Sequence, residues 1–337
     1  HTFESDEEAA KAASHFAKEY QLLLWYLGVS EANMEKGEMR VEANVSVSSD
    51  KDKKWPVYVE VKNLNSFRSV ERAIKYEIDR MIELFESGKE NEIIKETRGW
   101  DDNKQQTFSQ RRKESSHDYR YFPDPDLPKM KLHIAFDLEK MRKDLPELPA
   151  AKRTRYKNDF GIKDEDIEVY INDMALGAWF EDIARILENK DPEGKITSNG
   201  AGKIKIVSNY ITTDFLGLRK NNPEISMPSA KNMAELSSMI FEGMISSSSA
   251  KDILARIVIK DEAPMKIALE KDLLQKNDAE ALKEIAQKII DANAKVVADY
   301  KGGKEQALMS LVGQIMKETK GSANPEVARK TLIDLLK

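Results

Sequence analysis

The chain opens on a helical period and then changes to a period of two. From Glu7 to Leu27 the apolar residues Ala9, Ala12, Ala13, Phe16, Tyr20, Leu23, Leu24 and Leu27 recur at helical spacing. Ser5 ahead of an acidic first turn marks the start of this helix, and Gly28 marks its end. In Met39 to Ser48, by contrast, Met39, Val41, Ala43, Val45 and Val47 alternate with Arg40, Glu42, Asn44, Ser46 and Ser48, which predicts a half-buried strand. A charged turn over Ser49 to Lys54 leads into a return strand, Trp55 to Val61, so the two are expected to pair antiparallel. Val59-Glu60-Val61-Lys62-Asn63-Leu64-Asn65-Ser66-Phe67 then passes from strand to helix, with Ser66 or Asn65 as the cap. Val70, Ala73, Ile74, Ile78, Met81, Ile82 and Phe85 carry that helix to about Ser87, and Gly88 closes it. Ile93 to Arg98 reads as a short strand and Asp101 to Lys104 as a turn.

From Asp137 onward the pattern is helical. Leu138–Leu145, Pro149–Phe160, Asp164–Asn172, Met174–Leu187, Asn199–Leu218, Lys231–Glu242 and Ser249–Val258 are separated by prolines and glycines. Beyond about Glu270, four more helices follow: Ala279–Ala292, Ala294–Tyr300, Gly303–Thr319 and Pro325–Leu336. The pattern predicts an α+β chain: a sheet-bearing first part, then an all-α bundle, then a small all-α tail.

Composition narrows the classes without choosing among them. The 337 residues are 40% hydrophobic and 34% charged, with a net charge of −5 and a pI near 5.7. A globally basic nucleic-acid binder is not indicated, and any RNA contact would rest on local patches. The absence of cysteine excludes disulfides and thiolate metal sites and fits a reducing cytosol. No apolar run reaches membrane-spanning length.

Four places carry candidate chemistry, and each has two readings. The strand-to-helix junction at Lys62 to Ser66 suits an anion, because helix-start N–H groups favour negative charge; it equally suits a capped helix with solvated polar groups. Glu42 and Glu60 on neighbouring strands form either an oxygen pair for Mg²⁺ or two exposed acids balanced by Arg40 and Lys62. The block from Arg111 through Lys113 and Arg120 to Pro128 mixes guanidiniums, aromatic faces and carboxylates. It can meet phosphates and bases, or form an ordered interdomain loop. In the tail, Lys301, Lys304, Lys317, Lys320 and Asn324 flank two glycine-bearing joints, as a phosphate-gripping surface or as ordinary helix caps.

Taken together, Met34 to Val47, Glu60 to Phe67 and Arg111 to Pro128 resemble the B-subunit family of the aspartyl/glutamyl-tRNA amidotransferase and its archaeal relative acting on Glu-tRNA(Gln). Glu96-Thr97-Arg98 fits the same pattern, and Tyr300 to Lys304, Gly313 to Lys317 and Gly321 to Pro325 resemble the tail of that family. The resemblance implies the C-terminal part of an antiparallel-sheet "cradle" over residues 1–130, a helical domain over 131–268 and a tRNA-binding tail over 269–337. The family uses ATP and Mg²⁺ to phosphorylate the side-chain carboxylate of misacylated Glu-tRNA or Asp-tRNA. Ammonia, released from glutamine by an amidase A subunit, then displaces the phosphate, and a small C subunit straps the two together. A cytoplasmic heterotrimer is therefore expected.

Mapped onto this chain, Glu60, Lys62, Asn63, Asn65, Ser66, Arg98, Arg111, Lys113 and Arg120 are the expected catalytic set. Glu42 and Glu60 are the metal candidates, and Lys301, Lys304, Lys317, Lys320 and Asn324 the tRNA contacts. Val41-Glu42 stands where the bacterial family usually has Cys-Asp; glutamate keeps the charge and reaches further. The family also begins with a glycine-rich segment carrying further His and Glu ligands, so a chain starting at His1 is expected to hold an incomplete cradle, inactive alone. Two other functions are weighed: a non-catalytic tRNA-binding fragment, and a stand-alone phosphotransferase acting on a small carboxylate.

Overall fold

The computed structural model describes residues 3–48, 57–112, 121–275, 279–319 and 323–336. The chain divides into two compact units, residues 1–151 and 152–337.

In the first unit, helix α1 (Asp6–Tyr26) starts where Ser5 accepts from the Glu8 N–H. It packs on α2 (Phe67–Glu86), and the Ser14 hydroxyl donates to the Phe67 carbonyl. Four strands, β1 (Val41–Val45), β2 (Val59–Leu64), β3 (Glu96–Asp101) and β4 (Gln106–Arg112), lie side by side in chain order. One sheet face is closed by α2, with Val45, Val59, Val61 and Leu64 buried against Val70, Ala73, Ile74 and Met81. The helix ends in the expected way, with Gly88 in the left-handed region at φ +71 and the Lys89 N–H returning to the Leu84 carbonyl.

The expected antiparallel sheet is in fact mixed. β1–β2 and β3–β4 are antiparallel, but β2 and β3 run parallel. The twenty-residue α2 between them carries the chain back along the sheet, as a parallel connection requires. Two strands also differ from expectation. β3 begins at Glu96, three residues later than Ile93, because Ile93 enters the core from a 3₁₀ turn before the ladder starts. β4 has no alternating apolar signal, since its helix-facing Thr107 and Ser109 bind charged groups there instead of filling an apolar core.

A bulge interrupts the β1–β2 ladder. Val41 pairs with Leu64 while Ala43 pairs with Val61, so Glu42 faces both Lys62 and Asn63. Asn63 takes up the extra residue at φ +64. The insertion restores the phase, so that Leu64 joins Val61 in the core rather than pointing to the other face.

No strand follows β4 among the described residues. Short helices α3 (Leu132–Ala135) and α4 (Leu138–Lys143) precede α5 (Pro149–Arg155), which runs into a π turn at Tyr156–Phe160. Helices α6 (Asp164–Asn172), α7 (Met174–Leu187), α8 (Ser198–Asn209), a π turn at Tyr210–Phe215, α9 (Leu216–Asn221), α10 (Ala230–Phe241), α11 (Ser247–Ile257) and α12 (Pro264–Glu270) continue the chain. In the second unit, Tyr156, Phe160, Tyr170 and Phe180 form an aromatic core, with Tyr170 stacked on Phe180 at 4.2 Å. Burial pushes the Tyr170 phenol up, against a hydrogen bond to Ser208. Pro264 reads as punctuation in the sequence but begins α12, where a helix needs no N–H. Helices α13 (Ala279–Ala292), α14 (Ala294–Lys301), α15 (Glu305–Glu318) and α16 (Pro325–Leu336) close around Leu308, Leu311, Ile315, Ala328 and Leu332.

Candidate functional site

The sheet face away from α2 carries Glu42, Glu60, Lys62 and Arg111 of the described candidates. Strand alternation places Glu42 and Asn44 of β1 and Glu60 and Lys62 of β2 there, because Val45, Val59 and Val61 take the core side. Register sets a row straight across all four strands: Asn44, Glu60, Thr97 and Arg111. The Thr97 hydroxyl donates to Glu60 Oε2 at 2.9 Å, which fixes Thr97, and hence its neighbour Arg111, on this face.

Lys62 lies between the two carboxylates. Its Nζ is 3.1 Å from Glu42 Oε1 and 3.9 Å from Glu60 Oε2. The bulge produces this geometry, since it sets one β1 residue, Glu42, against both Lys62 and Asn63. The three side chains stay partly open, with 47% exposure for Glu42, 37% for Lys62 and 19% for Glu60. Beside Lys62 in the register is Gly99, where a Cβ would collide with the Phe108 ring and the Gln110 amide. Glycine there lets both side chains lie across β3 on the open face.

Arg98 does not join this row. It points to the α2 side, 3.1 Å from Glu77 Oε1 and 2.8 Å from Glu96 Oε1, and also donates to the Thr107 hydroxyl. Glu77 is fully buried and accepts from Arg80 and Thr107 as well. Burial pushes the Glu96 carboxyl up, but hydrogen bonds from Ser109 and Arg98 outweigh it and hold the group below its ordinary range. Arg98 is thus part of an internally neutralised cluster under the sheet.

The helix-start candidates occupy the far end of β2. Ser66 is the cap of α2, accepting from the Ser69 N–H at 3.0 Å, and Asn63 and Asn65 are exposed. A carboxylate already meets this end: Asp102 accepts from the Ser69 hydroxyl and from the Trp100 indole. The Trp100 bond is the main reason its carboxyl sits below the usual range. Lys113 and Arg120 lie outside the described residues, and the rest of that block, Tyr121 to Pro128, is exposed.

In the tail, Lys301 ends α14, Lys304 precedes α15 and pairs with Asp299 at 2.9 Å, and Lys317 lies in the last turn of α15; all three are exposed. The Asn324 side-chain oxygen accepts from the Glu326 N–H at 2.9 Å, which makes it a cap for α16. Lys320 lies outside the described residues.

Sequence reasoning missed Thr97, Phe108 and Gln110. The threonine stands in the same short motif as Arg98, but its face depends on where β3 begins and on a parallel pairing made across α2. Nothing local signals either. Among the described residues no three His, Asp or Glu side chains converge as a metal cage, and no helix is long and apolar enough to cross a membrane.

Residues 2–136 match the GatB/GatE catalytic domain, and residues 194–336 match the GatB domain. Over 98% of its length the chain is 39% identical to the B subunit of the aspartyl/glutamyl-tRNA(Asn/Gln) amidotransferase from Herpetosiphon aurantiacus, of which it covers 66%. The protein of the same name from Prochlorococcus marinus (strain AS9601) is 38% identical over 98% of the chain, with 65% of the relative covered. That from Thermotoga maritima is 37% identical over 99%, with 66% covered. The chain thus spans just under two thirds of the length of these relatives. With both of its parts matched in order and nearly its whole length aligned, this chain belongs to the GatB/GatE family of amidotransferase B subunits.

Proposed function

We propose that this chain acts as the B component of a tRNA-dependent amidotransferase, with the open sheet face as its carboxylate-activating site. The observation that carries the reading is Lys62 held between Glu42 and Glu60, with Glu60 in the same cross-strand row as Arg111, inside the segment matching the family's catalytic domain. The residues are of the right type for a magnesium–phosphate ligand. Mg²⁺ is usually held by one or two carboxylates plus substrate phosphates and waters, and Glu42 and Glu60 supply that pair. When bound, the ion would neutralise phosphate charge. Lys62 and Arg111 would meet the phosphate oxygens of ATP, while Asn63 and Asn65 orient the acceptor by hydrogen bonds. Arg98 supports the sheet from below.

In the reaction, the side-chain carboxylate oxygen of misacylated Glu-tRNA or Asp-tRNA attacks the γ-phosphorus, and ADP leaves. Ammonia then adds to the acyl carbon, inorganic phosphate departs, and one proton is lost to give the amide. Ammonia would come from a glutaminase partner, with a small third subunit completing the complex in the cytoplasm. The parts divide as a cradle over 1–130, a helical domain over 131–268 and a tail over 269–337. In the tail, Lys301, Lys304, Lys317, Lys320 and Asn324 would hold the tRNA.

Lys62→Ala tests the catalytic role. In the native assembly it should abolish tRNA-dependent amide formation with the melting temperature nearly unchanged; wild-type turnover would sink the assignment. The tail is tested by charge removal rather than deletion, because α15 and α16 supply much of its core. A triple Lys301→Ala, Lys304→Ala, Lys317→Ala variant should bind tRNA more weakly and lower the slope of log affinity against log salt by roughly 0.7–0.9 per lost phosphate contact. An unchanged slope would place the tRNA elsewhere.

A further inference from the structure

Glu60 is aimed by a buried neighbour on the same face, Thr97. We propose that Thr97 is a positioning residue for Glu60, an inference that rests on the reading of the open face given above.

Four observations support it. The Thr97 hydroxyl donates to Glu60 Oε2 at 2.9 Å, directly across the parallel β2–β3 pair. Thr97 is buried at 5% exposure, so the bond forms away from bulk water. The same Glu60 oxygen is 3.9 Å from Lys62 Nζ, so the hydroxyl holds this carboxylate beside the ammonium. Thr97 itself has little freedom. The residues on either side of it, Glu96 and Arg98, are locked on the opposite face by Ser109, Thr107 and Glu77, and the β3–β4 ladder shifts register at Thr97/Arg98. A β-branched side chain is also stiff at χ1 in a strand. The buried charges beneath the sheet therefore act on the open face through Thr97: they fix β3, β3 fixes Thr97, and Thr97 orients the Glu60 carboxylate.

The chemistry separates this role from mere packing. Thr97→Val keeps volume and branching and removes only the donor, whereas Thr97→Ser keeps the donor and removes a methyl. The test is calorimetric binding of Mg²⁺-ATP to the protein in its native assembly, with kcat and KM for ATP measured in parallel. Thr97→Val should weaken Mg²⁺-ATP binding roughly tenfold, the scale of one hydrogen bond to a charged group. Thr97→Ser should restore most of it, and both should melt close to wild type. On a Glu60→Gln background, Thr97→Val should add little further loss, because the two side chains act as one unit. Wild-type binding by Thr97→Val, no rescue by serine, or full additivity with Glu60→Gln would each overturn the inference while leaving the open-face site standing. Wild-type binding by Glu60→Gln alone would overturn the site itself and this inference with it.

Discussion

The two faces of the sheet bear the same kinds of side chain and treat them oppositely. Under the sheet, Glu77 and Glu96 are buried and each accepts from a guanidinium and a hydroxyl, with the Arg98 side chain 14% and the Arg80 side chain 20% exposed. Above it, Glu42, Glu60 and Lys62 also form an acid–base–acid set, yet Glu42 and Lys62 are 47% and 37% exposed and only Glu60, at 19%, is largely covered. A buried charge without partners costs several kcal/mol, so the lower cluster must be complete for the unit to fold. The upper cluster carries no such obligation, and on the proposed reading Glu42 and Lys62 exchange partners for a ligand while Thr97 holds Glu60. What separates the two networks is the burial of their acids and not residue type: Glu77 and Glu96 are enclosed, and Glu42 is half open.

The largest expected effect breaks the closed face. Glu77→Ala would leave Arg98 and Arg80 without their shared buried acid and should destabilise the first unit by ~3–5 kcal/mol. Denaturant unfolding measures this directly, and a loss below ~1 kcal/mol would mean that water reaches the cluster and that the two faces do not differ as described.

The same face gives a pH dependence with a definite sign. The folded Glu96 carboxyl is held below its ordinary value of 4.5, so its ionised form stabilises the fold. That contribution is fully present above the unfolded value and is lost as pH falls through the lower, folded value. The unfolding midpoint of the first unit should fall as pH is lowered from 5 toward 3, and Glu96→Gln should flatten that decline. An identical profile in the variant would show that other carboxylates govern acid unfolding.

A smaller effect bears on the bulge that sets up the open face. Asn63 holds φ +64, which a β-branched residue adopts only with strain, so Asn63→Val should cost about 1–2 kcal/mol and Asn63→Gly much less. Equal stability of the two variants would show that the bulge relaxes when Asn63 is replaced.

How far this division was legible in the sequence follows from range. Helices α6, α7, α13 and α16 begin and end where apolar spacing and caps put them, because those signals are local. Glu42, Glu60 and Lys62 were readable as one polar face from alternation in β1 and β2. Arg98 was not separable from them, since its face depends on where β3 starts, on a parallel pairing that spans α2, and on the buried acid Glu77 that draws it under the sheet. Glu77 itself sits among the apolar positions of a helix, where its acid reads as an exception and not as the centre of a charge cluster. The bulge at Asn63 is hidden for a similar reason: Asn63 suggests a turn after the strand, whereas the structure uses the left-handed backbone inside the strand to keep Leu64 in the core.

The smallest expected effect on stability is the sharpest test of the comparison. Lys62 bridges Glu42 and Glu60 in side chains that are 19–47% exposed. Exposed pairs contribute ~0.2–1 kcal/mol each, and salt screens them further. Lys62→Ala removes both pairs and leaves two acids facing one another, yet water can solvate them, so the loss should stay within ~1 kcal/mol and shrink as salt is raised. The closed face predicts the opposite pattern, because buried pairs are screened far less. Measured side by side, Glu77→Ala should show a large and nearly salt-independent loss, and Lys62→Ala a small and salt-sensitive one with amide formation abolished. A loss at Lys62 as large as that at Glu77 would make the open cluster a second structural network, and the catalytic site would then have to lie elsewhere in the residues that match the family's catalytic domain.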